Sequence, residues 1–242
     1  MRILILLSIF ALSLIAEDQA PLINLTVAQV EEPEQFVKTI NIAILLALFV
    51  LAPTLLLMAT SFTRLIIVFS LLRQALGLQQ SPPNQVIVSI ALIMTLFIMQ
   101  PYGQKAWDEG IQPYMDKKIG YQEAIDKGIA PFKNFMLKNT REQDLALFYR
   151  IKKEENPTNI EDVSIITLMP AFLISELRTA FEIGFLIFLP FLVIDIIVSS
   201  ILMSLGMMML PPVMISLPIK LIFFIVIDGW FVIIGNLAQS FK

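Results

Sequence analysis

Four long apolar segments set the organisation of the chain. They cover residues 40–59, 84–99, 183–210 and 219–237, and each is long enough, or nearly so, to be read as a membrane-crossing helix. The first contains Pro53. The second opens on Pro82-Pro83 and, at about 1.5 Å per residue, reaches only about 24 Å, short of a hydrocarbon core of about 30 Å. The third is interrupted by Pro190 and Asp195 and closes on Gly206-Met207-Met208-Met209-Leu210-Pro211-Pro212. The fourth contains Asp228-Gly229-Trp230.

A shorter apolar run, residues 3–15, follows Met1-Arg2 and precedes Ala16 and the acidic pair Glu17-Asp18. A basic start, a short apolar stretch and a small residue make a secretory signal peptide, so residues 1–20 are expected to be removed near Ala16 or Ala20. Residues 21–39 are polar and acidic and read as a flexible lead-in outside the cytoplasm. If the first segment then crosses inward, Arg64 and Arg73 fall in an inner connection, in keeping with the positive-inside rule, and the next connection lies outside. Phe62 to Arg73 is still apolar, so the helix is expected to continue past the membrane edge, stop at Gly77 and form one arm of a hairpin spanning residues 40–99.

Charge separates the two apolar halves. The stretch 102–162 holds ten of the 17 Lys and Arg and eleven of the 20 Asp and Glu. Residues 100–162 therefore read as a soluble helical insert. Thr140-Arg141-Glu142-Gln143 fits a capping box, with the Thr140 hydroxyl accepting from the Gln143 N–H. Phe132, Phe135, Met136 and Leu137, and then Leu145, Leu147, Phe148 and Ile151, supply apolar faces. So small a layer is expected to pack on the apolar helices or on a partner. Residues 163–242 form the second apolar hairpin, and the fold class is all-α and membrane-associated.

Composition closes most catalytic routes. The chain has 242 residues, 57% of them hydrophobic and 15% charged, with no Cys and no His. Thiolate and imidazole chemistry, Cys/His metal sites and haem ligation are excluded, and no cofactor is expected. A net charge of −3 leaves no basic field for nucleic acid.

Six ionisable residues stand in or beside the apolar stretches: Glu176, Arg178, Glu182, Asp195, Lys220 and Asp228. Such a group costs several kcal/mol unless it is paired or faces water, which makes each a functional candidate. Arg178 and Glu182 are spaced i,i+4 and can neutralise each other. Glu176 and Lys220 each head a long apolar helix and suggest a pair between helices or between subunits. Met207, Met208 and Met209 stand between helix breakers. Flexible thioethers there suit a yielding apolar seal.

At these residues the sequence resembles the FliP family of flagellar export-gate proteins. The blocks are residues 170–185 (PAFLISELRTAFEIGF), Thr60-Ser61-Phe62-Thr63-Arg64, Leu72 to Gly77, Pro82-Pro83-Asn84-Gln85, Gly206 to Pro212, Leu217-Pro218-Ile219-Lys220 and Asp228-Gly229-Trp230. They fall in the family's order over roughly residues 40–242, and the flagellar branch is favoured over the injection-system branch. The resemblance implies several copies, a pentamer, assembled with FliQ-like and FliR-like small membrane proteins and other export-apparatus membrane proteins. Such a gate lies in the inner membrane at the flagellar basal body, much of it on the periplasmic side, and passes unfolded flagellar subunits. It also implies a methionine gasket at Met207, Met208 and Met209 and an inter-subunit salt bridge between Glu176 and Lys220. The competing reading is an ion or proton transporter using Asp195, Asp228, Glu182 and Lys220. A third, an intramembrane enzyme, lacks a nucleophile paired to a base.

Overall fold

Helices carry every extended apolar stretch that the structure, a computed structural model, describes; it describes residues 33–155, 157, 159, 162–207 and 210–241, and the proposed signal peptide lies outside these. The chain divides at Leu51 and Ala52 into two units. Helix α1, Pro33–Met58, supplies the described part of the first and continues into the second. It starts earlier than the sequence led us to expect. Residues 33–39 are helical and not lead-in, because Pro33 at the first helical position has the fixed φ a helix start needs and no N–H to leave unpaired.

The second unit contains the remaining helices: α2 (Phe62–Ala75), α3 (Asn84–Ala106), α4 (Gln112–Met115), α5 (Tyr121–Asn139), α6 (Glu142–Lys152), α7 (Ile165–Ser204), α8 (Pro212–Val226) and α9 (Gly229–Gln239). No strand occurs among the described residues. Three stretches, Val37–Leu55, Asn84–Met115 and Ile165–Ser204, are long and apolar enough to cross a membrane, and α8 with α9, bent by 64°, qualifies as a fourth.

Several expectations are corrected. The first helix does not run on to Arg73: it breaks at residues 59–61, where the Thr60 hydroxyl donates to the Leu57 carbonyl at 2.7 Å and accepts from the Phe62 N–H. The second apolar helix does not stop at Met99 but passes Pro101, widens into a π-turn at Trp107–Ile111 and ends at Met115. The third begins at Ile165, 18 residues before Ile183, and has 40 residues, about 60 Å of helix. Glu176, Arg178 and Glu182 are therefore inside it. The capping box does not form. Thr140 donates to the Met136 carbonyl of the preceding helix, Arg141 is the N-cap and no side chain caps the helix. The Gly77 stop is present: with φ +76°, Gly77 donates to the Gln74 carbonyl and Leu78 to that of Arg73, the two bonds of a Schellman motif.

Helix α2 is the central element, packed on α7 and α3. Six of its 14 residues are buried. Three apolar clusters lie along the bundle. Leu72, Leu76, Phe191 and Phe224 occupy the end that holds the hairpin turn. Leu65, Val68, Ile87, Ala91, Ala180 and Leu237 form the middle. Met99, Phe135, Leu168 and Phe172 fill the insert end, where α5 and α6 lie on α7. The insert thus packs on the apolar helices of its own chain. At its far side the π-turn crosses α5 so closely that a Cβ on Gly110 would stand 2.8 Å from the Gly128 nitrogen and 2.9 Å from the Ala124 carbonyl.

Candidate functional site

Arg64 sits on the first turn of α2, where the α1–α2 break turns it into the bundle, and it is 3% exposed. An Arg carries five N–H donors in a planar fork, and here every one is used. Nε donates to Glu176 Oε2 at 2.8 Å, and Nη2 donates to Glu176 Oε1 and to Asn139 Oδ1. Nη1 donates to the Ser240 carbonyl at 3.0 Å and to its hydroxyl at 2.9 Å. The guanidinium also lies 3.9 Å from the centre of the Phe241 ring. Glu176, with no exposed surface, has both oxygens on this one partner.

The turn between α5 and α6 is fastened beside it. The Arg141 N–H donates to Ser175 Oγ at 3.0 Å, and that hydroxyl donates to Asp144 at 2.6 Å. At the surface Glu182 accepts from Arg141 and, at the expected i,i+4 spacing, from Arg178.

This network overturns the simple four-crossing topology. Arg64 touches Asn139 of the insert and Ser240 after α9, so it cannot lie across a membrane from both. Its separation from Arg73 has a plain cause: α2 is a helix of the bundle, and nine residues at about 1.5 Å each put the two arginines about 13 Å apart. Arg73 bonds instead to Pro82 and Asn84 at the hairpin turn.

A second ion pair lies 19 residues further along α7, about 28 Å from Glu176. Lys220 of α8, 4% exposed, donates to Asp195 Oδ2 at 2.6 Å and to the Ala75 carbonyl at 3.1 Å. That carbonyl belongs to the last turn of α2, where main-chain acceptors lack helical partners and a cation is favoured. The other Asp195 oxygen is buried with no partner. Asp228 takes a left-handed conformation, φ +51°, at the break between α8 and α9. Gly206, φ +73°, and Met207 repeat the Schellman bonds at the end of α7, while Met208 and Met209 lie outside the described residues.

Within the chain, then, Glu176 and Lys220 are not brought together: one is bound to Arg64 and the other to Asp195. Sequence reasoning missed Arg64 as a buried charge and read it as a topological marker. The rule that flagged Glu176 would have found it, because an Arg inside the run from Phe62 to Leu72 is equally costly alone. The relay required of a transporter is not laid out. Glu182 and Asp195 are 13 residues apart on one helix, about 20 Å, and each is tied to a cation of its own. Among the described residues no group of Asp and Glu is placed to hold a metal ion.

An all-helical membrane protein with its buried charges tied off in pairs is what these elements define. The chain belongs to the FliP family, whose model matches residues 45–237. It is 50% identical over 210 residues, 87% of this chain and 95% of the relative, to the flagellar biosynthetic protein FliP of Bacillus subtilis. The FliP of Caulobacter vibrioides is 47% identical, covering 85% of this chain and 77% of the relative. That of Pectobacterium carotovorum is 49% identical, covering 84% and 79%.

Proposed function

We propose that the chain is a structural, non-catalytic subunit of the flagellar type III protein-export gate. Several copies, five by the family pattern, surround a passage for unfolded flagellar subunits together with FliQ-like and FliR-like proteins in the inner membrane, with the insert on the periplasmic side. Family membership supports this, and the observation that carries it is the character of the surface. Phe181, Phe185 and Leu186 on α7, Leu96 and Phe97 on α3, and Ile222, Ile225 and Val226 on α8 are exposed, while Arg64 with Glu176 and Lys220 with Asp195 are turned inward on one another. Such a surface is covered by lipid and by neighbouring protein, not by water. Met207, Met208 and Met209 close the passage in this reading. Changing all three to Ala should make cells leak ions and small solutes while export continues in part; unchanged permeability would reduce them to packing.

Pairing of Glu176 with Lys220 between copies belongs to the same proposal: Lys220 of one copy leaves Asp195 and joins Arg64 on the Glu176 carboxylate of the next, whose oxygens each accept more than one bond. Glu176→Lys with Lys220→Glu should assemble better than either single change. Equal failure of all three would leave the two residues with their intrachain partners. The whole reading is tested by purification in mild detergent: a ring with two small apolar partners supports it, and a lone monomer that conducts ions refutes it.

A further inference from the structure

We infer that the protein is a fixed block at its Arg64 end with a swinging arm, α8, at the other, and that α8 moves when the passage opens, a motion whose purpose rests on the export-gate reading. The two ends are held in opposite ways. At the Arg64 end four pieces of chain, α2, the end of α5, α7 and the segment after α9, meet on one guanidinium with no donor spare. The Phe241 ring closes the site, stacked on Phe135 with centroids 6.1 Å apart. Any separation would strand a fully buried carboxylate, so these pieces move together.

Within its own chain, helix α8 is held by much less. Of its 15 residues only Ser216, Lys220 and Phe224 are buried, one line at i, i+4 and i+8. Pro211 precedes it and Pro212 is its first residue, and left-handed residues stand on both sides, Gly206 before and Asp228 after. At the joint of Asp228 and Gly229 a Cβ on Gly229 would fall 2.2 Å from the Phe224 ring, so no side chain stands between the ring and the backbone of the bend there. The catch is Lys220 on Asp195 and the Ala75 carbonyl. Asp195 is about one-third exposed and leaves one oxygen unpartnered, so its release leaves behind a less buried carboxylate than release of Glu176 would, while Lys220 departs with α8.

The chain has no cysteine, which permits paired tethers in the full-length protein in cells. Leu71→Cys with Gly184→Cys tethers α2 to α7 within the block and outside the Arg64 network, since a Cβ at position 184 stands 3.3 Å from that of Leu71, within reach of a disulfide. Gln80→Cys with Met214→Cys tethers α8 through a short bis-thiol cross-linker carrying a reducible link, since both line the 410 Å³ groove between the α2–α3 turn and the start of α8. Filaments are sheared from cells already assembled, the block tether is closed with a membrane-permeant oxidant and the α8 tether with the membrane-permeant cross-linker, and regrowth is followed before and after reduction. The block tether should leave regrowth intact, and the α8 tether should stop it until reductant is added. Arrest by the block tether, or regrowth through a closed α8 tether, overturns the assignment. Regrowth in the reduced state shows that each variant folds. Hydrogen exchange on the purified chain separates failure of the mechanics from failure of the export-gate reading. Amides of residues 216–225 should exchange on the order of tenfold or more faster than those of 65–72, and equal rates would refute the arm whatever the protein carries.

Discussion

Arg64→Ala should be among the most damaging single changes outside the passage itself. The substitution leaves Glu176, with no exposed surface, without the one counter-ion it has among the described residues of its own chain. Removing one partner of a buried pair costs about 3–5 kcal/mol. Loss of the Phe241 ring contact adds up to about 2 kcal/mol when desolvated, and orphaned Asn139 and Ser240 acceptors add further cost, but neighbours in one network do not sum. For a unit of this size about 1 kcal/mol moves the melting temperature by 2–4 °C, so 3–5 kcal/mol corresponds to a fall of about 6–20 °C. Thermal unfolding in mild detergent, followed by the fluorescence of Trp107 and Trp230, measures it. Arg64→Lys should fall between, since one ammonium can meet Glu176 but cannot reach three partners with a planar fork. Arg64→Met with Glu176→Leu should recover most of the loss, because apolar replacement of both partners removes the stranded charge. A melting temperature for Arg64→Ala within about 2 °C of the parent, or a double variant as unstable as the two singles added, would refute the reasoning.

Gly110→Ala should cost about 1–3 kcal/mol, because the atoms its Cβ meets are the backbone of α5, and the insert should become sensitive to limited proteolysis. Gly184→Ala should be milder, under about 1 kcal/mol, since its closest neighbour is the terminal methyl of Leu71, 2.2 Å from the added Cβ, which can rotate away; equal losses at the two sites would show that backbone and side-chain clashes are not told apart here. Mass spectrometry of the mature protein should place its amino terminus between about residues 17 and 21, and a reporter fused within the insert should behave as exported; an intact Met1 would leave an anchoring helix instead.

Where periodicity and breakers carried the information, the fold was legible. The apolar segments, the Gly77 and Gly206 stops, the hairpin turn at Pro82-Pro83 and the i,i+4 pair of Arg178 and Glu182 all follow from spacing within one element. Boundaries failed where a polar residue was taken as an end. Starting the third apolar segment at residue 183 leaves Arg178 and Glu182 outside it, yet α7 runs through them because Arg141 and Arg178 neutralise Glu182 at the surface and Arg64 neutralises Glu176 within. Thr140 had the wording of a cap, but a hydroxyl in contact with the preceding helix can donate to that helix's last carbonyls instead, and tertiary position decides between the two.

Partner choice was not legible for a related reason. The cost of an unpaired charge in an apolar segment tells which residues need a counter-ion and says nothing of which one, since the answer depends on the depth at which helices distant in sequence pass each other. Glu176 and Arg64 are 112 positions apart, and Lys220 and Asp195 are 25 apart. Both pairs form because α7 is long enough to carry one carboxylate at the level of the insert and another at the level of the hairpin turn, while α2 and α8 each bring a cation to one of those levels. The same geometry explains why one pair is closed on every side and the other is not. Four segments of chain converge at the insert end and exhaust the guanidinium, whereas at the hairpin end α8 meets the bundle along a single line of three side chains and leaves an Asp195 oxygen with nothing to bind. A chain that needed rigidity at both ends would have closed the second site as it closed the first.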